Sequence, residues 1–140
     1  MCSPTRHNLY TGLYPVKSGA YPNHTFVNKG TKSIAHYLKE IGYRVALSGK
    51  THINPRESFP FEYSSKANNP DMDRISLLFK ECAETETPFC LFACSNEPHT
   101  PSDKGDSSRY DPKTLKLPPQ LVDTPETSHA YSRYLAEIRY

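Results

Sequence analysis

Five side chains able to carry polar chemistry fall in three short motifs of this chain. Cys2 and Arg6 lie in CSPTR, Lys50 and His52 in GKTH, and His99 in EPHTP. A thiol is a nucleophile, and arginine, lysine and histidine supply the donors that stabilise a tetrahedral oxyanion. Taken singly, each has a plain alternative, since solvated cations, loop histidines and buried thiols are common. If the five meet in the fold, they form a cationic pocket around a cysteine.

The elements predicted around these motifs would bring them to one edge of a sheet. A helix with Ser3 as its N-cap and Gly12 just past its end would place Cys2 at the positive end of the helix dipole. GKTH follows a β-prone run at 43–49, and EPHTP follows an apolar run at 88–95 that we predict to be a strand buried on both faces. Ligands bind beyond the carboxyl ends of strands in parallel sheets, so the three motifs are expected to converge there.

Three further helices are expected around these strands. Their spans are 31–41, capped by Thr31, then 69–84, and a last helix that starts at Thr124 and Pro125. The order of helices and strands predicts an α/β fold with a parallel sheet covered by helices. Two strands alone do not make a stable sheet, so we expect a piece of a larger domain.

The composition excludes several classes of protein. The 140 residues carry a formal net charge of +2, which gives no basic footprint for nucleic acid or for an anionic membrane surface. No apolar run is long enough to span a bilayer. The four cysteines include no CxxC pair, so Cys82, Cys90 and Cys94 are interpreted as buried free thiols. Asn23-His24-Thr25 is a glycosylation sequon, which matters only in a eukaryotic secretory protein.

The motifs resemble those of type I sulfatases. CSPTRHNLYTG is similar to the first signature of that family, whose core C-x-P-x-R is followed by a leucine and by T-G. GYRVALSGKTH resembles the second signature, EPHTP resembles the P-H-x-P element, and residues 110–138 resemble the loop and helix that follow it in many bacterial sulfatases. Thr5 stands where the family more often has serine. The resemblance implies an alkaline-phosphatase-like sandwich with a mainly parallel central sheet covered by helices.

The resemblance also implies a role for each candidate residue. A formylglycine-generating enzyme would oxidise Cys2 to Cα-formylglycine, whose hydrated aldehyde attacks sulfur and whose second hydroxyl then expels sulfate. Arg6 would steady the formylglycine, and Lys50 would bind both it and the sulfate. His52 would act on the second hydroxyl. His99 would bind sulfate near the leaving oxygen and help to protonate that oxygen.

Members of the family bind a divalent cation, usually calcium, through oxygen ligands. The formylglycine at Cys2 would be one ligand, and paired aspartates upstream with an Asp-Asn or Asp-His pair downstream would supply the others. The 140 residues contain no match to those pairs or to a second active-site lysine. We therefore expect 1–140 to be a partial sulfatase catalytic domain, without the upstream metal-binding strand and the downstream half, and inactive by itself.

The stretch GKTHINPRESFPFEY resembles heparan N-sulfatase (sulfamidase) and its bacterial relatives. A sulfated carbohydrate is the expected substrate, with O-sulfate and N-sulfate both left open. Two alternatives remain at this point: a phosphonate monoester hydrolase or phosphodiesterase of the same superfamily, and a non-catalytic degenerate fragment. The chain does not reveal a compartment, although the family resemblance suggests a periplasmic, secreted or lysosomal protein.

Overall fold

A computed structural model describes residues 1–64 and 68–140, which divide into two compact units. The first unit comprises residues 1–95 and the second comprises residues 96–140. The helices and strands of the first unit are α1 (Cys2–Thr11), α2 (Pro15–Ser18), α3 (Ile34–Glu40), β1 (Arg44–Gly49), β2 (Glu62–Tyr63), α4 (Met72–Glu84) and β3 (Phe89–Cys94). The second unit contains α5 (Pro125–Arg139).

The sheet has three parallel strands in the order β2-β1-β3. Leu47 of β1 is paired with Tyr63 of β2 on one side and with Phe92 of β3 on the other. The predicted α/β class with a parallel sheet is therefore confirmed. Strand β2 was not predicted, because two residues in a proline- and phenylalanine-rich stretch show no alternating pattern of their own.

Helices cover both faces of this sheet. Val45 and Leu47 belong to a buried cluster that includes Tyr10 of α1. Ala46, which lies between them in the sequence, packs with Leu78 of α4 on the opposite face. Successive side chains of a strand point to opposite faces, so the apolar run of β1 supplies two cores at once. The sheet thereby holds α1 against one face and α4 against the other.

Strand β3 departs from the prediction that it is buried on both faces. Phe89 is 41% exposed and Ala93 is also exposed, whereas Val45 of β1 is fully buried. Among the described residues β3 pairs only with β1, so it is the edge of the sheet and its side chains have fewer neighbours. The continuous apolar pattern predicted the strand correctly but did not reveal its position in the sheet.

The start of α1 also differs from the prediction. The helix begins at Cys2 after Met1, so Cys2 is its first residue and Ser3 is not the N-cap. The Ser3 hydroxyl is buried 3.3 Å from His7 Nδ1, which explains why it does not cap the helix. The predicted end is confirmed, since Gly12 has a left-handed conformation with φ of 69°.

The caps of the other helices vary in how well the sequence predicted them. Helix α3 is capped by Ser33, which forms a capping box with His36, and not by Thr31. Helix α4 is capped by Asp71, so it begins slightly later than expected. The predicted cap of α5 is correct, because the Thr124 hydroxyl accepts a hydrogen bond from the first turn of that helix.

Cys82, Cys90 and Cys94 are free thiols, as predicted, and Cys2 is also unbridged. Cys82 is buried, as predicted, but the prediction of burial is wrong for Cys90 and Cys94, which are half-buried because they lie in the less covered strand β3. Among the described residues, no helix combines the length and the apolar character that crossing a bilayer requires.

The second unit is organised around α5. The helix buries small and polar residues, including Ser132 and Ala136, and exposes Ile138. The Ser132 hydroxyl donates a 3.2 Å hydrogen bond to the Ser107 carbonyl oxygen. A Cβ atom on Gly105 would lie 2.4 Å from the Ala136 carbonyl oxygen, so the loop passes too close to the helix for a side chain there.

Candidate active site

Cys2 makes its closest polar side-chain contact with a histidine fifty residues away. Its Sγ atom lies 2.9 Å from His52 Nδ1 and 3.9 Å from Asn23 Oδ1. The same Asn23 oxygen accepts a 3.2 Å hydrogen bond from the Ser3 backbone N–H. The first turn of α1 is thus joined both to the loop after α2 and to the segment after β1. This contact brings together a nucleophilic atom and a group able to exchange protons with it.

Arg6 and Lys50 meet beside this pair through the backbone of the segment that leaves β1. Arg6 Nη1 donates a 2.9 Å hydrogen bond to the Lys50 carbonyl oxygen. The Lys50 N–H donates in turn to the Cys94 carbonyl oxygen at 2.9 Å. Gly49 makes this exit possible, because its φ is +94° and a Cβ atom would lie 2.0 Å from that same oxygen.

Four of the five candidate residues therefore lie together at the carboxyl end of β1. They are Cys2, Arg6, Lys50 and His52, and all four are half-buried. The pKa of His52 is lowered, first by burial and then by the positive charges of neighbouring groups, among them Lys50 and Arg6. Burial and the nearby charges of His24, Lys50 and Arg6 thus all disfavour the charged form of this imidazole.

His99 belongs to the second unit and is described within that unit. Its backbone N–H donates a 2.9 Å hydrogen bond to Glu137 Oε1. Its Nδ1 atom lies 2.7 Å from the Thr100 carbonyl oxygen. A carbonyl oxygen only accepts, so Nδ1 carries a proton and Nε2 is the nitrogen left to exchange one. That His99 shares a pocket with the other four residues stays a prediction.

Sequence reasoning missed Asn23 and His24, which extend the site. His24 Nδ1 lies 2.8 Å from His52 Nε2, and His24 Nε2 lies 3.1 Å from Asn23 Nδ2. The two residues were interpreted only as part of a sequon. Their loop is placed by a backbone hydrogen bond of 3.1 Å from Val27 to Asn54, a contact that no local pattern reveals.

Sequence analysis also missed His7, which holds two segments of the site next to each other. It is fully buried, and its Nδ1 lies 2.8 Å from the Ser3 carbonyl oxygen. The Asn54 N–H donates to His7 Nε2 at 3.1 Å. One imidazole thus links the residue after Cys2 to a residue just beyond His52, which fixes the separation of the two segments. Ser3 and His7 are four residues apart, a spacing that puts both side chains on one face of a helix, and this spacing was the sequence signal for their contact.

The side chains around Cys2 do not suit a calcium ion. Calcium requires about six to eight oxygen ligands, mostly carboxylates and carbonyls. The neighbours of Cys2 are cations, imidazoles and one amide, and within the described ranges there is no group of three or more His, Cys, Asp or Glu side chains placed to hold a metal. These residues therefore do not constitute a calcium site.

A cavity of about 830 Å³ lies elsewhere, on the α4 side of the sheet. Its lining includes Arg44, Glu62 and Glu81 and none of the candidate residues. Arg44 forms ion pairs with both of these carboxylates, at 2.7 and 2.8 Å. The cavity is thus bordered by a satisfied charge network and is separate from the contacts of the reactive side chains.

Comparison with known proteins gives consistent matches along the chain. The family model described as Sulfatase matches residues 1–140. An ulvan-active sulfatase of Formosa agariphila is 34% identical over an alignment of 107 residues that covers 71% of this chain and 21% of that protein. N-sulphoglucosamine sulphohydrolase of Homo sapiens is 30% identical over an alignment of 112 residues that covers 70% of this chain and 22% of that protein.

A solved structure has the same fold. The structure of BT4656 in complex with its substrate D-glucosamine-2-N,6-O-disulfate superimposes with a TM-score of 0.59 and 19% identity. The match covers 86% of this chain and 30% of that one. The chain spans about a fifth of the length of the two curated relatives.

Proposed function

Because this chain belongs to the sulfatase family, we propose that it forms the nucleophile side of the active site of a sulfate-ester or sulfamate hydrolase. The observation that carries the proposal is the 2.9 Å contact between Cys2 Sγ and His52 Nδ1. The thiol lies at the first residue of α1 within the intact CSPTR motif. We propose that Cys2 is the residue converted to formylglycine.

The surroundings of Cys2 fit this modification. The residue is half-buried, so its side chain is within reach both of a modifying enzyme and of a substrate. The polar atoms closest to Sγ belong to His52 and Asn23, and they can bond the oxygens of a hydrated aldehyde as readily as a thiol. When present, formylglycine supplies a hydrated aldehyde as the nucleophile toward sulfur.

We propose that Arg6 steadies the formylglycine and that Lys50 binds both the formylglycine and the sulfate. Arg6 is held by the Lys50 carbonyl oxygen, and the charges of both residues act on His52. A sulfate ester gains negative charge on its leaving oxygen as the S–O bond breaks. One well-placed donor to such a charge is worth about 3–4 kcal/mol, so fixed cations are the expected source of rate. Lys50 is proposed to bind sulfate directly.

His99 is proposed to bind sulfate as well and to protonate the leaving oxygen. Because its Nδ1 donates to the Thr100 carbonyl oxygen, only Nε2 can perform that transfer. The protonated ring would release the Nε2 proton to the departing alcohol or amine. The expectation applies most to substrates whose leaving group is a poor one, since these need the proton most.

Calcium is proposed for the whole protein and not for these residues alone. Among the residues that the structure describes, the polar side-chain contacts of Cys2 are with His52 and Asn23 and include no carboxylate, so we propose that other segments of the protein supply the oxygen ligands of a cation. We therefore propose that the chain in isolation neither holds calcium tightly nor releases sulfate catalytically.

A sulfated carbohydrate is the proposed substrate. One curated relative is named for its activity on ulvan and another for N-sulphoglucosamine, and the structural neighbour was solved with a glucosamine disulfate. The resemblance of GKTHINPRESFPFEY to sulfamidases favours a substrate that carries an N-sulfate. Paired assays with an N-sulfated and an O-sulfated glucosamine would distinguish the two linkages.

The deciding experiment combines modification and turnover. The protein is produced with and without a formylglycine-generating enzyme, and peptide mass spectrometry and an aldehyde-specific label report on Cys2. We expect an aldehyde at Cys2 alone, with Cys82, Cys90 and Cys94 as internal controls that lack the motif. Sulfate release is then measured on the whole protein and on the 140-residue chain, both modified.

Three outcomes would contradict the proposal. An unmodified Cys2 beside a converted control protein would refute the formylglycine step. Hydrolysis of a phosphonate monoester in preference to sulfated sugars would indicate the alternative activity of the superfamily. Catalytic sulfate release by the 140-residue chain at the rate of the whole protein would show that the site needs no further segment.

A further inference from the structure

We propose that Asn23 and His24 are positioning residues that fix the tautomer of His52, so that neutral His52 directs its Nδ1–H toward residue 2. The inference concerns hydrogen bonds among Ser3, Asn23, His24 and His52 in the protein with its unmodified thiol. It rests on the proposed function only for the chemical role of residue 2. The direction of every bond follows from groups that can only donate or only accept.

The first step is the orientation of the Asn23 amide. The Ser3 backbone N–H can only donate, so the Asn23 atom 3.2 Å from it must be the oxygen Oδ1. The Cys2 thiol lies 3.9 Å from the same oxygen, and a thiol donates weakly to an oxygen. The Ser3 N–H therefore fixes the assignment, and the thiol contact is consistent with it. The amide nitrogen Nδ2 then points away from α1, toward His24.

The second step is the tautomer of His24. Asn23 Nδ2 lies 3.1 Å from His24 Nε2, and an amide nitrogen donates but does not accept. His24 Nε2 must therefore be the unprotonated, accepting nitrogen. A neutral imidazole carries one ring proton, so that proton lies on His24 Nδ1. This nitrogen is the one that faces His52.

The third step carries the same logic to His52. His24 Nδ1 lies 2.8 Å from His52 Nε2, so the proton on His24 makes His52 Nε2 an acceptor. Neutral His52 must then hold its own proton on Nδ1, the atom 2.9 Å from Cys2 Sγ. The bonds run in one direction, from Asn23 to His24 to His52 to residue 2. Each donor is satisfied by the next acceptor.

The backbone holds both histidines in place for this arrangement. His24 has a φ of 64° and His52 has a φ of 49°. Residues other than glycine rarely adopt this left-handed backbone conformation. The two rings lie 4.6 Å apart between centroids at an interplanar angle of 44°. Strained residues of this kind persist where the surrounding structure determines them strongly. Their joint occurrence at one contact supports a held pair.

The network has a consequence for the chemistry of residue 2. In this proton order neutral His52 donates to the side chain of residue 2, and it could take a proton from a second hydroxyl there only after the order reverses. To expose an unprotonated Nδ1, the proton order of both histidines must reverse and the Asn23 amide must turn over. That turn would leave the Ser3 N–H facing the amide nitrogen, which cannot accept. Asn23 thus sets which proton state of His52 residue 2 meets.

The test is nuclear magnetic resonance of the protein labelled with ¹⁵N-histidine, in which the ring-nitrogen shifts report the tautomer of each neutral histidine. We expect the protonated-nitrogen shift at His52 Nδ1. In Asn23→Asp the carboxylate accepts from both Ser3 and His24, so the order reverses and the protonated shift moves to His52 Nε2. Asn28→Asp is the matched control. It introduces the same negative charge five residues further along the chain, at a side chain that lies beside Gly19.

A second variant covers the case in which Asn23→Asp fails to fold. His24→Ala removes the donor to His52 Nε2, and the two tautomers of His52 should then both be populated. A wild-type His52 protonated on Nε2, or a His52 tautomer unchanged in both Asn23→Asp and His24→Ala, would overturn the proposal. The readout needs neither formylglycine nor turnover. A failure of the proposed function would therefore appear separately, as an unmodified Cys2 or as absent sulfate release.

Discussion

The guanidinium of Arg6 donates a 2.9 Å hydrogen bond to the backbone carbonyl oxygen of Lys50. This bond joins the second turn of α1 to the first residue after β1, and both residues belong to the candidate site. A side chain that binds backbone in this way fixes the path of the segment, and with it the position of Lys50 and of the nearby His52.

We expect Arg6→Lys to lower both stability and activity. Lysine keeps the charge but lacks the planar fork that reaches the carbonyl oxygen. The loss of a half-buried hydrogen bond should reduce the free energy of unfolding by about 1 kcal/mol, measured by urea denaturation. Sulfate release should fall further than stability alone accounts for. Arg74→Lys, on the exposed side of α4, is the control and should leave both quantities near wild type.

Alanine substitutions at Gly49 and Gly42 would distinguish the effect of a steric clash from that of backbone strain. Gly49 and Gly42 both have left-handed φ values, +94° and +86°. A Cβ atom at Gly49 would lie 2.0 Å from the Cys94 carbonyl oxygen, whereas at Gly42 it would meet nothing within 4 Å. Gly42→Ala should therefore cost only the left-handed conformation, about 1–2 kcal/mol.

We expect Gly49→Ala to be about 1–3 kcal/mol more destabilising than Gly42→Ala, because the strand ends must also move apart. Thermal unfolding of the two variants measures the difference. The movement would displace Lys50, so sulfate release should be lost in Gly49→Ala and largely kept in Gly42→Ala. Equal stability of the two variants would show that the strand ends do not approach as closely as described.

The acid dependence of the second unit should be set in part by Glu97. The ion pair with Lys104 holds the pKa of this carboxyl at about 2, with a smaller contribution from an Asn96 hydrogen bond. A depressed pKa stabilises the fold at any pH above the ordinary glutamate value of about 4.3, and that contribution is lost as the pH falls toward 2. We expect Lys104→Ala to be less stable than wild type at pH 7.

The stability difference between wild type and Lys104→Ala should shrink as the pH falls from about 5 to about 2, through the interval between the ordinary pKa of glutamate and the lowered pKa of Glu97. Denaturation curves at a series of pH values measure it. The Glu97 carboxyl resonance should also titrate closer to the ordinary range in the variant. Lys113→Ala, an exposed lysine of the same unit, is the control. A difference that stays constant with pH would contradict the assignment.

Arg44 should stabilise the first unit through two carboxylates at once. It pairs with Glu62 of β2 at 2.7 Å and with Glu81 of α4 at 2.8 Å, and these bonds raise its pKa. All three side chains are partly exposed, so solvent screens the pairs and each is worth about 0.2–1 kcal/mol. We expect Arg44→Met to lower the free energy of unfolding by about 1 kcal/mol.

The loss in Arg44→Met should decrease at high salt, because the Debye length falls to about 3 Å at 1 M. Lys80→Met is the matched control, since its pair with Glu84 is exposed and 3.9 Å long. That variant should differ little from wild type at any salt concentration. A loss in Arg44→Met that does not respond to salt would indicate that packing of the arginine stem is responsible.

Local signals predicted the elements that carry the site. Thr124 and Pro125 begin α5 and Gly12 ends α1, because caps depend on the conformational preferences of single residues. Strands β1 and β3 were also predicted from local signals, because each is a continuous run of apolar, β-prone residues. Where signals compete locally, the sequence is less decisive. Ser3 could have capped α1 and did not, since its hydroxyl is buried near His7.

The sequence by itself determined that Arg6 lies on the first helix, that Cys2 lies at the start of that helix, and that Lys50 and His52 follow a strand, because those placements depend on adjacent residues. Only the tertiary structure decided that Asn23 and His24 complete the contact with His52. It likewise decided that β2 joins the sheet and that β3, within the part of the chain that the structure describes, pairs with β1 alone. These features depend on hydrogen bonds between residues far apart in the chain, and local residue preferences carry no record of such partners.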